Sequence, residues 1–103
     1  METRVAIMEA KPGELTDAVG AFDTGTVQGA RDLDGNRGLM VLSDPDTNRV
    51  LVISLWDTEE EADGADGYFE RVAPNFGKHL TNRPERETFD VHVASLNEAR
   101  LHP

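Results

Sequence analysis

Two apolar runs in the middle of the chain, at residues 38–43 and 49–56, are the strongest pattern in the sequence. Residues 44–48 between them are Asp, Pro, Asp, Thr and Asn, the types that build tight turns. The pattern predicts an antiparallel hairpin. Both runs are apolar on both faces, whereas a sheet with one wet face alternates apolar and polar side chains. We therefore expect one face to pack on helices and the other, carrying Val50 and Val52, to pack on a second copy of the chain.

Shorter alternating stretches near the two ends of the chain predict the remaining strands. Residues 4–9 alternate, and the Pro-Gly pair that follows them ends the strand. Residues 88–94 alternate again, with Phe89, Val91 and Val93 on one face. The hairpin is thus flanked by one strand on each side along the chain.

The first helix is marked by apolar residues spaced three and four apart, from Glu14 to about Leu33. Its stripe consists of Leu15, Ala18, Val19, Phe22, Thr26, Ala30 and Leu33. Three glycines interrupt the stripe, and each costs about 1 kcal/mol relative to alanine in a helix interior. A helix that stops near Gly25 is therefore the alternative. We favour the long helix because the stripe continues past the glycines to a stop signal at residues 34–36.

The second helix is predicted directly after the hairpin. Thr58 and Glu61 form a capping-box pattern, in which the hydroxyl and the carboxylate satisfy backbone groups of the first turn. An apolar stripe at threes and fours then runs to Leu80, and Pro74 within it is expected to kink or split the helix. Seven acidic residues between positions 57 and 70 are best explained as a solvated face near the helix N-terminus, with metal binding or docking as the alternative.

The element order β-α-β-β-α-β predicts a ferredoxin-like α+β fold. Two right-handed βαβ units give a four-stranded antiparallel sheet with both helices on one face. A chain of 103 residues fits a single domain. We assign that domain to residues 1–96 and interpret residues 97–103 as a C-terminal tail.

Composition and charge narrow the cellular setting. The chain has no cysteine, which excludes disulfides and thiolate metal sites and suits the cytoplasm. Ten basic against twenty acidic residues give a net charge of −10, which repels nucleic acid and anionic membranes. No secretion signal opens the chain, and its longest apolar run is far short of a membrane span. We expect a cytoplasmic protein without nucleic-acid or membrane partners.

The central segment resembles a known family. Residues 38–60 form a hairpin that ends in a strand-terminal tryptophan, Trp56, followed by an acidic capped helix. This arrangement, the Lys-Pro-Gly run at residues 11–13 and the element order resemble the antibiotic biosynthesis monooxygenase (ABM-like) family over most of the chain. The resemblance implies a dimeric α+β barrel, in which two sheets face each other across a homodimer. The superfamily includes oxygenases and haem-degrading enzymes, so the resemblance alone does not determine an activity.

The haem-degrading branch of that family matches poorly. Its first-strand asparagine corresponds to Ile7 or Met8 here, and its helix histidine falls near Pro74, several residues before His79. Its helix tryptophan falls near Ala65. A haem-binding protein is therefore the least favoured of the functions that the resemblance allows, and we expect no cofactor.

The anthrone-oxidising branch surrounds its substrate with asparagine, tryptophan and tyrosine. Trp56 and Tyr68 are of the matching types, although strand 3 carries Val52 and Ser54 where an asparagine is expected. We predict Trp56 and Tyr68 as substrate-binding residues for a flat aromatic ligand. The structural alternatives are a core tryptophan whose indole N–H is bonded locally and a tyrosine at the rim.

Two further groups are candidates for acid–base chemistry. His79, with a pKa near neutrality in its ordinary state, is the predicted catalytic residue, and its structural alternative is to complement the dipole at a helix C-terminus. Asp90 and His92 are a predicted polar pair on the last strand, which in the structural alternative is satisfied at the dimer interface, and Arg4 is in a position to bridge to Asp90. No histidine or acidic spacing is typical of a metal site.

Two functions from different classes follow. The first is a small cofactor-independent monooxygenase acting on a flat aromatic or quinol-like compound. The second is a non-catalytic dimeric module that binds a small apolar ligand or a partner protein. Turnover of an aromatic substrate separates them, since only the first predicts it.

Overall fold

Four antiparallel strands form the centre of the computed structural model, which describes residues 1–95. They are β1 (Glu2–Glu9), β2 (Asn36–Asp44), β3 (Arg49–Trp56) and β4 (Glu85–Asp90), in the sheet order β2-β3-β1-β4. Helices cover one face of this sheet, which confirms the ferredoxin-like α+β fold. The predicted tail, residues 97–103, lies outside the described residues.

The hairpin predicted from residues 38–56 is confirmed. β2 and β3 pair in antiparallel register from Asp44 opposite Arg49 to Asn36 opposite Trp56. At the turn, Asn48 adopts a left-handed backbone with φ 62°. Its side-chain amide donates to the carbonyl of Ala10 at 2.6 Å. Asn48 therefore provides the left-handed backbone conformation of the turn, and its side chain links the turn to the end of β1.

One unbroken helical run follows β1 and confirms the longer of the two predicted helices. It consists of α1 (Leu15–Phe22), a π-helical segment (Asp23–Val27) and α2 (Gln28–Ala30). The run ends three residues before the predicted end at Leu33. Gly35 then turns the chain with φ +77°, where a Cβ atom would lie 2.3 Å from the carboxyl carbon of Glu61. Both the backbone conformation and this close approach require glycine at that position.

The second helical region is divided at a different place from the one predicted. α3 (Glu59–Gly64) begins with the predicted cap, since the backbone N–H of Glu61 donates to the Thr58 hydroxyl at 3.1 Å. The break falls at Ala65, and α4 (Asp66–Gly77) continues through Pro74. Glu70, whose carbonyl loses the Pro74 donor, and Pro74 itself are both exposed. Water can therefore replace the missing hydrogen bond at little cost.

The helix-facing side of the sheet holds the core. Met8, Val50 and Val52 are buried there, together with Phe22 and Phe76, whose rings stack at a centroid distance of 4.3 Å. The expectation that Val50 and Val52 meet a second copy of the chain is therefore wrong. Alternation shows that two residues share a face of a strand, but it does not show which face the helices cover.

The opposite side of the sheet, here called the outer face, is apolar and lies open in the single chain. Its apolar members are Val5, Ile7, Met40, Leu42, Leu51, Ile53, Leu55 and Phe89. Met40 is 53% exposed and Phe89 is 51% exposed. The prediction of a sheet that is apolar on both faces is thus confirmed. The face predicted to pack on a second copy, with Val50 and Val52, is the one that the helices cover.

The last strand begins and ends earlier than predicted. β4 pairs with β1 from Glu85 opposite Ile7 to Asp90 opposite Glu2, so it ends where β1 has no further partner. Val91 and Val93, predicted within the strand, lie beyond it. β4 begins with Glu-Arg-Glu, and all of its residues are exposed. Because no alternation of apolar and polar residues marks this start, the sequence pattern did not reveal it. None of the helices within residues 1–95 is long and apolar enough to cross a membrane.

Candidate functional site

The structure brings two of the predicted site residues together at one end of the sheet. Trp56, at the end of β3, meets Phe69 of α4 edge to face at a centroid distance of 6.5 Å. Phe69 in turn meets Tyr68 at 5.4 Å. We call Trp56, Tyr68 and Phe69 the aromatic cluster. Such edge-to-face contacts are favourable, and they fix the orientation of all three rings relative to the sheet.

Trp56 occupies a core position within the aromatic cluster. Its side chain is only 1% exposed, and its indole N–H donates to the hydroxyl of Ser54 at 2.9 Å. This local bond is the one expected of a structural tryptophan. In this conformation the ring is enclosed by its neighbours and its N–H is already used.

Tyr68 joins α4 to the π-helical segment of the first helical run. Its hydroxyl donates to the carbonyl of Thr26 at 2.7 Å. At Gly29, one turn further on, a Cβ atom would lie 2.2 Å from the Tyr68 hydroxyl oxygen, so this approach requires glycine. Thr26 and Gly29 are therefore site residues that the sequence pattern did not reveal. In the sequence these two positions differ from their neighbours only in being a polar residue and a glycine within a largely apolar helical stripe.

The hydroxyl of Thr26 is a buried polar group without a partner among residues 1–95. Thr26 is 1% exposed, and its own carbonyl holds Tyr68. A buried hydroxyl without a hydrogen bond is costly in free energy, and π-helical turns are frequent at functional sites. Among residues 1–95 the fold therefore retains unused hydrogen-bonding capacity at this place between the first helical run and α4, and also at the side-chain nitrogen of Asn36.

Burial raises the pKa of Tyr68 above its ordinary value of 10.0, and the positive charge of Arg71 lowers it to a smaller extent. The Arg71 guanidinium carbon lies 6.0 Å from the centre of the tyrosine ring. The phenol therefore stays protonated through the physiological range. It can donate a hydrogen bond to a carbonyl or to a developing enolate oxygen.

Because Tyr68 is the only tyrosine, its ionisation can be followed directly by phenolate absorbance. We expect the midpoint in the folded protein to lie above that of the urea-unfolded chain. A raised folded pKa stabilises the fold fully below pH 10, and this contribution is lost as the pH rises through the folded pKa. The free energy of unfolding should therefore decline above about pH 10 in the native protein and less so in Tyr68→Phe. Equal midpoints in the folded and unfolded chains would contradict the buried position.

A group of charged side chains fastens the second helical region to β1 beside the aromatic cluster. Arg4 donates to Glu2 at 2.9 Å and to Asp63, and it lies 3.6 Å from Asp66. Arg86 of β4 approaches the same Asp66 oxygen at 3.7 Å. Arg4 was predicted to bridge to Asp90, but its ion pairs are with the acids of β1, α3 and α4. The acidic stretch thus contributes two anchors as well as a solvated face.

His79 lies at the other end of α4. Its Nδ1 is 3.0 Å from Oε1 of Glu14, and because a carboxylate only accepts, Nδ1 carries the proton in this contact. The backbone carbonyl of His79 accepts from Lys11 at 2.8 Å, next to the end of β1. Nine residues of helix separate Tyr68 from Gly77 by roughly 14 Å, and His79 lies two residues beyond the helix end. The structure therefore does not bring His79 to the aromatic cluster.

Asp90 and His92 are both exposed and are not brought together by a contact. Asp90 is the last residue of β4, and His92 lies two residues beyond it. Neither side chain forms a hydrogen bond or an ion pair with another of residues 1–95. Within the same residues, no three His, Asp or Glu side chains are grouped so that they could hold a metal ion.

The fold and the covered face of its sheet define the class of protein as ferredoxin-like α+β. The sequence matches no protein-family model, and no curated protein matches it either. Solved structures do match. One is a protein of Bordetella bronchiseptica that has been assigned the name antibiotic biosynthesis monooxygenase. It is 14% identical to this chain, and the two structures match with a TM-score of 0.76 over 89% of this chain and 97% of that one.

Two further structures give the same result. A protein of Nitrosomonas europaea with the same assigned name is 12% identical, with a TM-score of 0.76 over 90% of this chain and 100% of that one. A monooxygenase of Streptomyces coelicolor, solved with nanaomycin D bound, is 16% identical, with a TM-score of 0.76 over 94% of this chain and 92% of that one. The fold of this chain is therefore the fold of the antibiotic biosynthesis monooxygenases, which confirms the resemblance seen in the sequence at the level of structure.

Proposed function

We propose that the chain is a small cofactor-independent monooxygenase of the ABM-like family, acting on a flat aromatic or quinol-like compound. The observation that carries the proposal is the Tyr68 hydroxyl, a protonated donor to the backbone carbonyl of Thr26, whose own side-chain hydroxyl is buried without a partner, beside a cluster of aromatic rings. The similarity of the fold to a monooxygenase with nanaomycin D bound supports the choice of reaction and ligand.

The reaction requires little from the protein. In a substrate such as anthrone, a CH₂ group between two aromatic rings becomes C=O. One atom of O₂ enters the substrate, the other leaves as water with the two hydrogens, and the substrate supplies the electrons. The enolate of such a substrate is the form that reacts with O₂, so a hydrogen bond to its oxygen promotes the reaction. Exclusion of water by the surrounding rings strengthens that bond.

Tyr68 is the residue best placed to supply this hydrogen bond. To reach a substrate, its hydroxyl would exchange the Thr26 carbonyl for the substrate oxygen. The two acceptors are of similar strength, so the exchange costs little once the ligand is present. Trp56 is buried, so the aromatic cluster would have to open before Trp56 and Phe69 could hold the flat ring system by stacking or edge contacts, with the indole N–H remaining on Ser54.

In such a mechanism His79 would not act directly on a substrate bound at the aromatic cluster. Its Nε2 is the basic nitrogen in the contact with Glu14, as an acid–base residue requires. Its position at the far end of α4 separates it from a ring bound at the aromatic cluster. The acid–base role of His79 therefore stays a prediction, and Tyr68 is the group that the geometry favours. The polar pair of Asp90 and His92 also stays a prediction.

The homodimer is proposed through the outer face. Monomeric soluble proteins rarely expose a contiguous apolar patch this extensive, and eight apolar side chains of all four strands contribute to it. A self-complementary contact between two such faces would bury Met40, Leu42 and Phe89, which are more than 40% exposed in one chain. The cytoplasmic location suggested by the absence of cysteine stays a prediction.

Turnover of anthrone in air tests the proposal, with anthraquinone absorbance and O₂ uptake measured together. We expect Tyr68→Phe to lower kcat/KM by about 100-fold, the loss typical of one hydrogen-bond donor to an oxyanion. Thr24→Val is the matched control, because it also removes a hydroxyl that donates to a helix carbonyl, at 3.0 Å from Gly20. The control should retain full activity. Equal activity of Tyr68→Phe and the native protein would refute the role of Tyr68.

A non-catalytic dimeric module is the second candidate, and one observation favours it. The indole N–H of Trp56, the hydroxyl of Tyr68 and Nδ1 of His79 each have a partner within the chain. If nanaomycin D quenches Trp56 fluorescence saturably while anthrone is oxidised no faster than in buffer, binding without catalysis is the function. Haem binding is the least favoured, and it predicts a Soret shift on titration with haem.

A further inference from the structure

A concave surface lies at the opposite end of α4 from the aromatic cluster. It has a volume of about 230 Å³ and lies between the last turn of α4 and the loop that leads into β4. Its apolar wall includes Ala73, Phe76, Leu80 and Pro84, and its polar rim includes Asn82 and Arg83. We call it the α4 groove. Small-molecule sites usually measure about 300–1,000 Å³, so this one fits a ligand of one or two rings.

The rim of the α4 groove has free hydrogen-bond donors. Arg83 is exposed and forms no hydrogen bond or ion pair with any other of residues 1–95. The side-chain oxygen of Asn82 accepts from the Thr81 hydroxyl at 3.4 Å, while its NH₂ group has no partner among the same residues. A guanidinium beside an amide N–H is the arrangement that recognises a carboxylate.

The local charge contrasts with that of the whole chain. Twenty acidic residues outnumber ten basic ones overall, but residues 78–84 contain Lys78 and Arg83 and no acid. Glu85 pairs with Ile7 in the sheet, and its side chain lies on the outer face, away from the α4 groove. On the helical side, the carboxylate of Glu14 is in contact with His79 Nδ1 at 3.0 Å. An anion is therefore attracted to this end of an otherwise acidic molecule.

We propose that the α4 groove is a second binding site, which takes a small aromatic carboxylate with its ring on Phe76 and Leu80 and its carboxylate on Arg83. The proposal does not depend on the proposed oxygenase activity. The aromatic cluster lies at the other end of α4, and neither Trp56 nor Tyr68 lines the α4 groove. The apolar wall supplies the affinity for the ring, and the cation selects the charged form of the ligand.

The test is a titration of the ¹⁵N-labelled full chain with 2-naphthoate, followed by amide chemical shifts. We expect saturable shifts at the amides of residues 73–83 with a dissociation constant on the order of a millimolar. The neutral probe 2-naphthalenemethanol, which has the same rings, should bind about tenfold more weakly. Arg83→Gln should weaken 2-naphthoate about tenfold while leaving the neutral probe unchanged.

Arg31→Gln is the matched control, because it removes the same charge from an exposed arginine at the end of α2 that does not line the α4 groove. It should bind 2-naphthoate as the native protein does. The proposal is overturned if Arg83→Gln and Arg31→Gln bind equally well, or if the neutral probe binds as tightly as the carboxylate. Shifts confined to the Trp56 indole and its neighbours would also overturn it, since they would place the ligand at the aromatic cluster.

Discussion

Ile53→Asp is expected to convert the proposed dimer into a folded monomer of about half the mass. Ile53 lies at the middle of the outer face, paired with Val5 on one side and Met40 on the other. In one chain the carboxylate would be hydrated at the surface of the sheet. In the dimer it would be buried between apolar side chains without a partner, which costs far more than a typical association can supply.

Native mass spectrometry across a dilution series measures this change, with one chain at 11.3 kDa as the reference. Thr88→Asp is the matched control, since it adds the same charge to an exposed residue on the helix-facing side of β4. The control should remain dimeric. If Ile53→Asp also remained dimeric at the same concentrations, the outer face would not be the interface.

Val52→Asp separates the two faces of the same strand. Val52 is buried under the helices, so a carboxylate there should unfold the chain and not merely divide the dimer. Adjacent residues of β3 are thus predicted to give different results from the same substitution. The comparison tests the assignment of the faces as well as the dimer.

Trp56→Ala is expected to cause the largest loss of stability among single core substitutions. Trp56 is the largest fully buried side chain, and it contacts Phe69, Ala62 and Ala65 as well as the hydroxyl of Ser54. Truncating a buried tryptophan to alanine costs about 3–5 kcal/mol. Because domains of this size are stable by only about 5–15 kcal/mol, the variant should lose about a fifth or more of its free energy of unfolding.

Urea unfolding followed by far-UV circular dichroism measures the loss, because the fluorescence of the only tryptophan disappears with the substitution. Val93→Ala is the comparison at an apolar residue that is 89% exposed, and it should change the free energy of unfolding by less than about 0.5 kcal/mol. Trp56→Phe should fall between the two, since it retains a ring but removes the donor to Ser54. A Trp56→Ala variant as stable as Val93→Ala would show that the residue does not belong to the core.

The parts of the fold that depend on local interactions could be predicted from the sequence. The turn residues ending in Asn48 indicated the hairpin, and Thr58 with Glu61 indicated the start of α3. Each of these signals involves groups within a few residues of one another. β4 was placed imperfectly because its first half is charged and exposed, so no apolar alternation marks it.

The candidate site was predictable only in part. The sequence named Trp56 and Tyr68, which the structure brings together around Phe69, and it named His79, which the structure places at the far end of α4. Thr26 and Gly29 were not identified. Their role arises from a contact with Tyr68, 42 residues further along the chain from Thr26, and no local pattern encodes it.

The sequence by itself determined the order of the elements, the hairpin, the capped start of the second helical region and the presence of two apolar sheet faces. Tertiary structure alone decided which face of β3 the helices cover and which end of α4 each candidate side chain occupies. The reason is physical. Periodicity and turn chemistry report interactions between neighbours in the chain, whereas the covered face and the site depend on register and packing between distant segments.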